Sequence, residues 1–296
     1  MADYHRAVQF GLFPSPDANQ LDDIFGLADI ADRGGLELLG IQDHPYQARH
    51  LEAWALMATL LARTERVHVF PDVANLPLRP PAVLAKAAAS LDVISRGRFE
   101  LGLGAGAFWT AIAAMGGPHH SPREAAGSLT EAIEVIRLMW SDQRAVRYSG
   151  EHYRLDGAHA GPEPAHSIGI WLGVGGPRML DLVGRAADGW VPSNAYFPPD
   201  ALPAMHERID AAAHAAGRDP AGIRRVYNVF GTITEGPTRG AFDGPADQWT
   251  DILTELVLDG GMDTFVFGAA GDDLAQARRF ADEVAPAVRE HVRQGR

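Results

Sequence analysis

An aspartate and a histidine stand side by side where the second apolar run of the sequence ends. Asp43 and His44 follow residues 37–41, a short run that is typical of a buried strand. Histidine changes charge near neutral pH, so His44 can donate or accept a proton beside a reacting group. The alternative is a structural histidine bonded to a neighbouring loop, and the residue types alone leave both interpretations open.

Two glycine-rich segments offer backbone groups to a ligand. The segment 173–176 leads into Pro177, which suits the first turn of a helix, and glycine there lets free N–H groups approach an anion. It predicts a phosphate site, with a tight turn that binds nothing as the alternative. The segment 102–107 fits a dinucleotide fingerprint only loosely, because it follows the fourth strand and no helix begins directly after it. We expect it to form a backbone wall against a flat ring.

Other chemistries find little support in the residue types. The sequence has no cysteine, which excludes disulfides, thiolate metal sites and cysteine nucleophiles. Its 12 histidines include the pair His119-His120, but neighbouring histidines point apart and no H-x-H or H-E-x-x-H spacing occurs. We therefore expect no metal site. No serine stands in a G-x-S-x-G motif, so a nucleophile elbow is not predicted either.

The composition is that of a globular chain. Of its 296 residues 46% are hydrophobic, and the formal net charge is −12. Such acidity disfavours nucleic acids and anionic membranes as partners. Neither a signal peptide nor an apolar stretch of the roughly 20 residues that a membrane helix needs is visible. We therefore expect a soluble, cytoplasmic protein.

Short β-rich runs alternate with longer helical segments along the chain. The predicted strands are residues 7–13, 37–41, 66–72, 98–104, 167–173, 189–191, 225–232 and 263–268. The predicted helices are residues 21–33, 53–63, 82–95, 125–140, 178–187, 201–216, 246–259 and 272–293. The strands are short, apolar and rich in Val, Ile, Leu and Phe, as strands buried on both faces are. Eight units of each kind predict an α/β fold of the closed (β/α)8, or TIM, barrel type, with an open doubly wound sheet as the alternative.

The boundaries of several helices are marked by local signals. Ser121-Pro122-Arg123-Glu124 has the spacing of a capping box with proline in the first turn. Four glycines stand just past apparent helix ends, where a left-handed residue is favoured. They are Gly34, Gly97, Gly217 and Gly260.

Residues 141–166 interrupt the alternation. Residues 145–155 have the pattern of a small hairpin, and the stretch after them is rich in Gly, Pro and His. We interpret 141–166 as an insertion after the fourth strand of a single domain that spans residues 1–296.

Four segments, in this order, resemble the bacterial luciferase-like superfamily of flavin monooxygenases and of oxidoreductases that use the deazaflavin coenzyme F-420. They are residues 39–44 (LGIQDH), 75–85 (NLPLRPPAVLA), 90–106 (SLDVISRGRFELGLGAG) and 186–190 (AADGW). The resemblance extends over nearly the whole chain, and it is the set of segments that is specific. It implies the barrel, the insertion and a cofactor, F-420 or FMN, across the C-terminal ends of the strands.

The resemblance also implies roles for individual residues. His44 is the implied proton donor or acceptor at the reactive face of the ring, and a cis peptide bond is implied between Asp72 and Val73. The implied cofactor contacts are Asp43, Asp72, Val73, Asn75, Gly104, Ala105, Gly106, Gly173, Val174, Gly175 and Gly176. The expected substrate pocket contains the aromatic residues Phe13, Phe108, Trp109 and Tyr196.

Departures from the family pattern narrow the expected chemistry. The F-420 enzymes that oxidise sugar phosphates have a glutamate where this chain has Ala107, and a lysine near the position of Tyr196. A sugar phosphate is therefore not the expected substrate. Flavin monooxygenases of the family often carry Glu-His where this chain has Asp43-His44, which favours the deazaflavin branch.

Three functions follow from the resemblance. The first is hydride transfer between F-420 and a small organic substrate. The second is monooxygenation with reduced FMN and oxygen, which would need a flavin reductase as partner. The third is a non-catalytic flavin-binding protein. The family also implies a homodimer.

Overall fold

A closed parallel barrel forms the body of the protein. The computed structural model describes residues 3–271 and 273–296. Its strands are β1 (Gln9–Leu12), β2 (Leu38–Ile41), β3 (His68–Pro71), β4 (Ala74–Asn75), β5 (Leu101–Gly104), β6 (Val146–Ser149), β7 (Arg154–Ala158), β8 (Ile170–Leu172), β9 (Gly189–Trp190), β10 (Arg224–Ile233), β11 (Asp243–Gly244) and β12 (Thr264–Ala269). Its α-helices are α1 (Leu21–Arg33), α2 (Ala53–Arg63), α3 (Pro81–Ser95), α4 (Trp109–Ala114), α5 (Pro122–Met139), α6 (Pro177–Ala186), α7 (Leu202–Ala215), α8 (Ala246–Leu258), α9 (Asp273–Arg279) and α10 (Ala285–Gly295).

The order of the strands shows how the barrel closes. Neighbouring strands follow the order β3-β2-β1-β12-β10-β9-β8-β5-β4. The short strands β3 and β4 are two halves of one barrel strand, interrupted at Asp72 and Val73. β3 pairs with β2, whereas β4 pairs with β5. A parallel bridge between Val69 and Phe99 joins the two ends of the sheet. The predicted eight-stranded α/β barrel is therefore confirmed.

Large apolar side chains fill the inside of the barrel. A buried cluster inside it consists of Leu38, Phe70, Trp171, Val191, Val226 and Val266. Phe70 and Trp171 make an edge-on contact with ring centroids 5.1 Å apart. The barrel is thus a packed core, and ligands are confined to its mouths, as in other barrels of this type.

The interruption of the third barrel strand has the predicted backbone. The peptide bond between Asp72 and Val73 is cis. The Val73 side chain lies against Gly104 and Gly173, where an added Cβ would come within 2.8 Å of its Cγ2. Val73 thereby ties β3–β4 to the strands β5 and β8.

The insertion lies where it was predicted and contains the antiparallel pair β6–β7. Its hairpin extends to Ala158, three residues further than the sequence pattern indicated. The capping box of α5 is present, with both reciprocal bonds between Ser121 and Glu124.

Three details differ from the sequence-based expectations. The short helix α4 was not predicted. The last predicted helix, whose start at residue 272 lies outside the described residues, is divided by a π-helical segment, Phe280–Val284, just before Pro286. Among the four glycines at helix ends, Gly97 and Gly217 are left-handed, but at the other two ends the next glycine, Gly35 or Gly261, takes that conformation.

Among the described residues, no helix combines the length and the apolar character that crossing a membrane requires.

Candidate functional site

Four loops meet around one cavity at the C-terminal ends of the barrel strands. The cavity has a volume of about 260 Å³, close to the lower end of the range of small-molecule sites. The loops follow β2, β3, β5 and β8. The residues that line the cavity are Asp43, His44, Tyr46, Val73, Ala74, Asn75, Gly104, Ala105, Gly106, Ala107, Phe108, Gly173, Val174, Gly175 and Met179.

Most of the residues that the sequence indicated as cofactor contacts lie in this wall. They are Asp43, Val73, Asn75, Gly104, Ala105, Gly106, Gly173, Val174 and Gly175. Two others lie outside it. Asp72 is buried behind the wall with 8% of its surface exposed, and Gly176 is an exposed residue at the start of α6.

Asp43 is fixed by a two-pronged ion pair. Arg79 donates from Nε to Asp43 Oδ2 over 2.7 Å and from Nη2 to Oδ1 over 2.8 Å. The backbone N–H of Asn75 donates to the same Oδ2 over 2.9 Å. Glu52 holds Arg79 from the other side. Because its oxygens are engaged in this way, Asp43 fixes the relative positions of two cavity loops.

His44 lies in an aromatic corner of the cavity. Its ring is stacked on Tyr46 at 5.3 Å between centroids, and the ring of Phe108 meets it edge-on at 5.4 Å. Burial lowers the pKa of His44, the nearby His50 lowers it further, and Asp43 opposes both effects. Since this shift is downward from the ordinary value of about 6.5, His44 is neutral at pH 7 and able to accept a proton.

Tyr46 remains a neutral phenol throughout the physiological range. Burial raises the pKa of Tyr46 to about 12, with further contributions from Asp43 and Tyr196. The corner therefore presents uncharged rings to anything that enters the cavity.

One feature of the wall and one beside it fit a flavin-type cofactor. Asn75 has 6% of its surface exposed, and its buried Oδ1 has no hydrogen-bond partner among the described residues. It is a free acceptor for a ring N–H. The N-terminus of α6 has no side-chain cap, and nothing lies within 4 Å of an added Cβ at its N-cap residue, Gly176. Pro177 has no N–H, and Met179 donates its N–H to the carbonyl of Gly176. A helix N-terminus without a side-chain cap still attracts a phosphate through the helix dipole.

Packing gives the glycines of the wall a second cause beside the one that the sequence suggested. An added Cβ on Gly175 would lie 2.0 Å from Cζ of Phe197, and one on Gly106 would lie 2.7 Å from Pro77 and 2.8 Å from Trp109. Gly106 is also left-handed, with a φ of 96°. Packing within the protein therefore already demands glycine at both positions.

The aromatic residues assigned to a substrate pocket are dispersed. Phe108 lines the cavity, with half of its surface exposed. Trp109 packs on Gly106 and lies between His119 and His120. Tyr196 is 74% exposed. Phe13 lines a separate small cavity beside β12 and packs edge-on against a phenylalanine of β10.

Sequence reasoning overlooked several residues of the site. Tyr46, Ala74 and Met179 line the cavity, and Arg79 is the partner of Asp43. Tyr46 stands only two residues after His44, so proximity in sequence was an available signal. The pairing of Arg79 with Asp43 had no signal, because it joins positions 36 residues apart.

Among the described residues, no group of three or more acidic or histidine side chains is arranged to hold a metal ion.

Comparison with known proteins places the chain among flavin-type enzymes. The sequence profile of luciferase-like monooxygenases matches residues 4–239. F-420-dependent glucose-6-phosphate dehydrogenase from Kineococcus radiotolerans is 32% identical over 226 residues, which cover 72% of this chain and 65% of that protein. The chain thus spans slightly less than two thirds of this curated relative.

Solved structures resemble the fold closely. An F-420-dependent secondary alcohol dehydrogenase in complex with an F-420–acetone adduct superposes with a TM-score of 0.84 at 21% identity, covering 96% of this chain and 99% of that one. The oxygenating component of 3,6-diketocamphane monooxygenase from Pseudomonas putida, in complex with FMN, gives a TM-score of 0.75 at 19% identity, covering 95% and 99% of the two chains. At these identities the likeness concerns the fold.

Proposed function

The chain belongs to the luciferase-like monooxygenase family, and on that basis we propose that it is an oxidoreductase that transfers a hydride between coenzyme F-420 and a small organic substrate. The observation that carries the proposal is the cavity between four loops, with a neutral histidine in its wall and a free helix N-terminus beside it. When bound, F-420 supplies the hydride chemistry. The relative from Kineococcus radiotolerans is named for the same coenzyme.

The side chains have separate tasks in this proposal. Asn75 Oδ1 would accept a hydrogen bond from the ring, and the N-terminus of α6 would hold the phosphate of the tail. His44 takes the proton from a substrate hydroxyl as the hydride leaves the carbon, or returns it in the reverse direction. Asp43 and Arg79 position the loops and take no part in proton transfer.

We propose that the substrate is uncharged. Among the described residues, Asp43 is the only charged side chain that lines the cavity, and Arg79 already neutralises it. His44 and Tyr46 are neutral, and Phe108 contributes an apolar ring. A phosphate group on the substrate would therefore meet no cation in this cavity, and leaving it without a partner costs binding energy.

Cofactor titration tests the proposal. Purified protein is titrated with F-420 and, separately, with FMN, and quenching of the cofactor fluorescence is followed. The proposal predicts tight saturable binding of F-420, followed by its reduction when an uncharged secondary alcohol is added. Reduction that depends on glucose 6-phosphate would contradict the assigned substrate class.

The second candidate is an FMN-dependent monooxygenase. It is favoured by the likeness in fold to an FMN-bound monooxygenase and by the apolar Phe108 at the cavity. Oxygen uptake with reduced FMN, supplied by a flavin reductase, would establish this function in place of the first. A third candidate, a flavin-binding protein without catalysis, requires saturable binding with no turnover over a substrate panel.

We further propose that residues 1–296 form one domain, that two copies associate, and that the protein acts in the cytoplasm. Helix α3 exposes three apolar side chains that support the dimer: Val83, Val93 and Ile94.

A further inference from the structure

Asp72 is a buried acid that forms no ion pair with a cation in the part of the chain that the structure describes. Its carboxyl lies inside the barrel between β2 and β10, where Nδ2 of Asn228 donates to its Oδ1 over 3.0 Å. Its Oδ2 is buried and has no hydrogen-bond partner among the described residues. On the side of β2 it packs on Gly40, at which an added Cβ would lie 2.8 Å from Oδ2. Burying an ionised carboxylate at this position costs far more free energy than burying a neutral carboxyl group.

The groups that face Asp72 do not compensate such a charge. Gly40 from β2 and Asn228 from β10 do not titrate. Arg79 is bonded to Asp43 and Glu52. Burial raises the pKa of Asp72 to about 7, against the opposing hydrogen bond from Asn228. The carboxyl is therefore a titrating group within the neutral range.

The position of Asp72 couples it to the cavity. Its neighbour in sequence, Val73, forms part of the cavity wall, as do the two residues that follow. A negative charge placed on the other side of this wall acts through a low-dielectric barrier, where like charges repel strongly.

We propose that Asp72 takes up a proton when a negatively charged cofactor ring occupies the cavity, so that the neutral acid permits the ring to carry its charge. The inference rests on the proposed function, since it requires a flavin-type ring in this cavity. Reduced flavins carry negative charge on the ring at neutral pH, and charge placed near the ring tunes its electronics. Asp72 is a positioning residue in this scheme and does not itself exchange hydride or protons with the substrate.

Calorimetry measures the proton uptake directly. Cofactor binding is titrated at pH 7 in buffers of different ionisation enthalpy, and the slope of the binding enthalpy gives the number of protons exchanged. For each cofactor molecule bound, we expect the wild type to take up about half a proton more than the Asp72→Asn variant. At pH 5, where the acid is already protonated, the difference should vanish. Asp72→Ser, which removes the carboxyl but changes the shape, should behave as Asp72→Asn does.

The outcomes separate this inference from the function. Equal proton uptake by the wild type and both variants, with cofactor binding intact, would overturn the role of Asp72 and leave the proposed function standing. If the wild type bound neither F-420 nor FMN, the role of Asp72 and the proposed function would both be overturned.

A second readout serves if the variants do not fold. ¹³C-labelled aspartate in the wild type should give one carboxyl signal that titrates near neutrality and moves to higher pH on cofactor binding. Titration of every aspartate in the acidic range would refute the proposal.

Discussion

The chemistry of single side chains in this cavity is decided by their neighbours. His44 is kept neutral by burial, whereas Asp43, the residue before it, is held by Arg79 and bonded to the backbone of Asn75. The Asp43-His44 pair was recognised in the sequence by its place after a strand. The ion pair that holds Asp43 was not recognised, because Arg79 reaches Asp43 from another loop.

Replacement of His44 tests its role at the residue scale. We expect His44→Ala to lower turnover about 10²- to 10³-fold, the usual contribution of a positioned acid or base, while the dissociation constant for the cofactor changes little. Steady-state kinetics and cofactor titration of the same preparation provide the comparison. Turnover equal to that of the wild type would remove His44 from the mechanism.

The pH profile of the wild type gives an independent check of His44. Since burial lowers its pKa, oxidation of an alcohol should keep its full rate down to a pH below the ordinary 6.5 and fall only under that point. Loss of rate beginning well above pH 6.5 would contradict this assignment.

At the scale of elements, the alternation of strands and helices predicted the barrel because both periodicities are local. Helix α4 was overlooked since its six residues are too few to show a helical period and Phe108 provides no side-chain cap. Gly34 and Gly260 are each followed by a second glycine, so the pattern could not decide which of the two is left-handed. The glycines of the cavity wall are required because Phe197, Pro77 and Trp109 pack against them. These contacts exist only in the folded chain, so the sequence could not indicate them.

The N-terminus of α6 offers a clean test of the phosphate site. Gly175→Asp is unsuitable because its side chain would collide with Phe197. Gly176→Asp meets open space at the N-cap, where aspartate is favourable, so thermal stability should be kept or rise slightly. Cofactor affinity should fall about tenfold, or about 1.4 kcal/mol, because a carboxylate then opposes the phosphate.

Gly176→Asn is the matched control, since it caps the helix without a charge. Its affinity should remain near that of the wild type. Equal affinities for the Asp and Asn variants would exclude phosphate binding at this helix.

The end of the insertion is anchored by a histidine between two carboxylates. His166 bonds through Nδ1 to Asp92 at 2.7 Å and through Nε2 to Glu100 at 3.2 Å. The bond to Glu100 raises the pKa of His166, and Asp92 raises it further, against the effect of burial. The stabilisation is therefore complete below the unfolded pKa of about 6.5 and is lost as the pH rises through the folded pKa.

Thermal unfolding at several pH values measures this anchor. The midpoint of His166→Gln should lie furthest below that of the wild type near pH 6 and approach it at pH 8.5. A difference that grows with pH would show that the histidine does not act as a cation here.

The whole molecule is acidic, with a net charge of −12, so its overall field repels an anionic cofactor. Binding must therefore come from local groups such as the N–H groups of α6. The insertion and the outer helices were predictable from pattern. The convergence of four distant loops on one cavity was indicated only by the family resemblance, because it depends on the closure of the barrel.

The proposed dimer would bury the exposed apolar residues of α3. Ile94 is 71% exposed, and Ile94→Glu should shift the molar mass measured by light scattering from that of a dimer towards that of a monomer. Leu21→Glu, at an exposed position on α1, is the control and should stay dimeric. A monomeric wild type would refute the dimer outright.

A crystal structure with bound F-420 would test the central claim most directly. We expect the ring in the cavity of about 260 Å³, with one edge at Asn75, its reactive face towards His44, and the phosphate at the N-terminus of α6. Density for the ring at another face of the barrel, with this cavity filled only by solvent, would contradict the account.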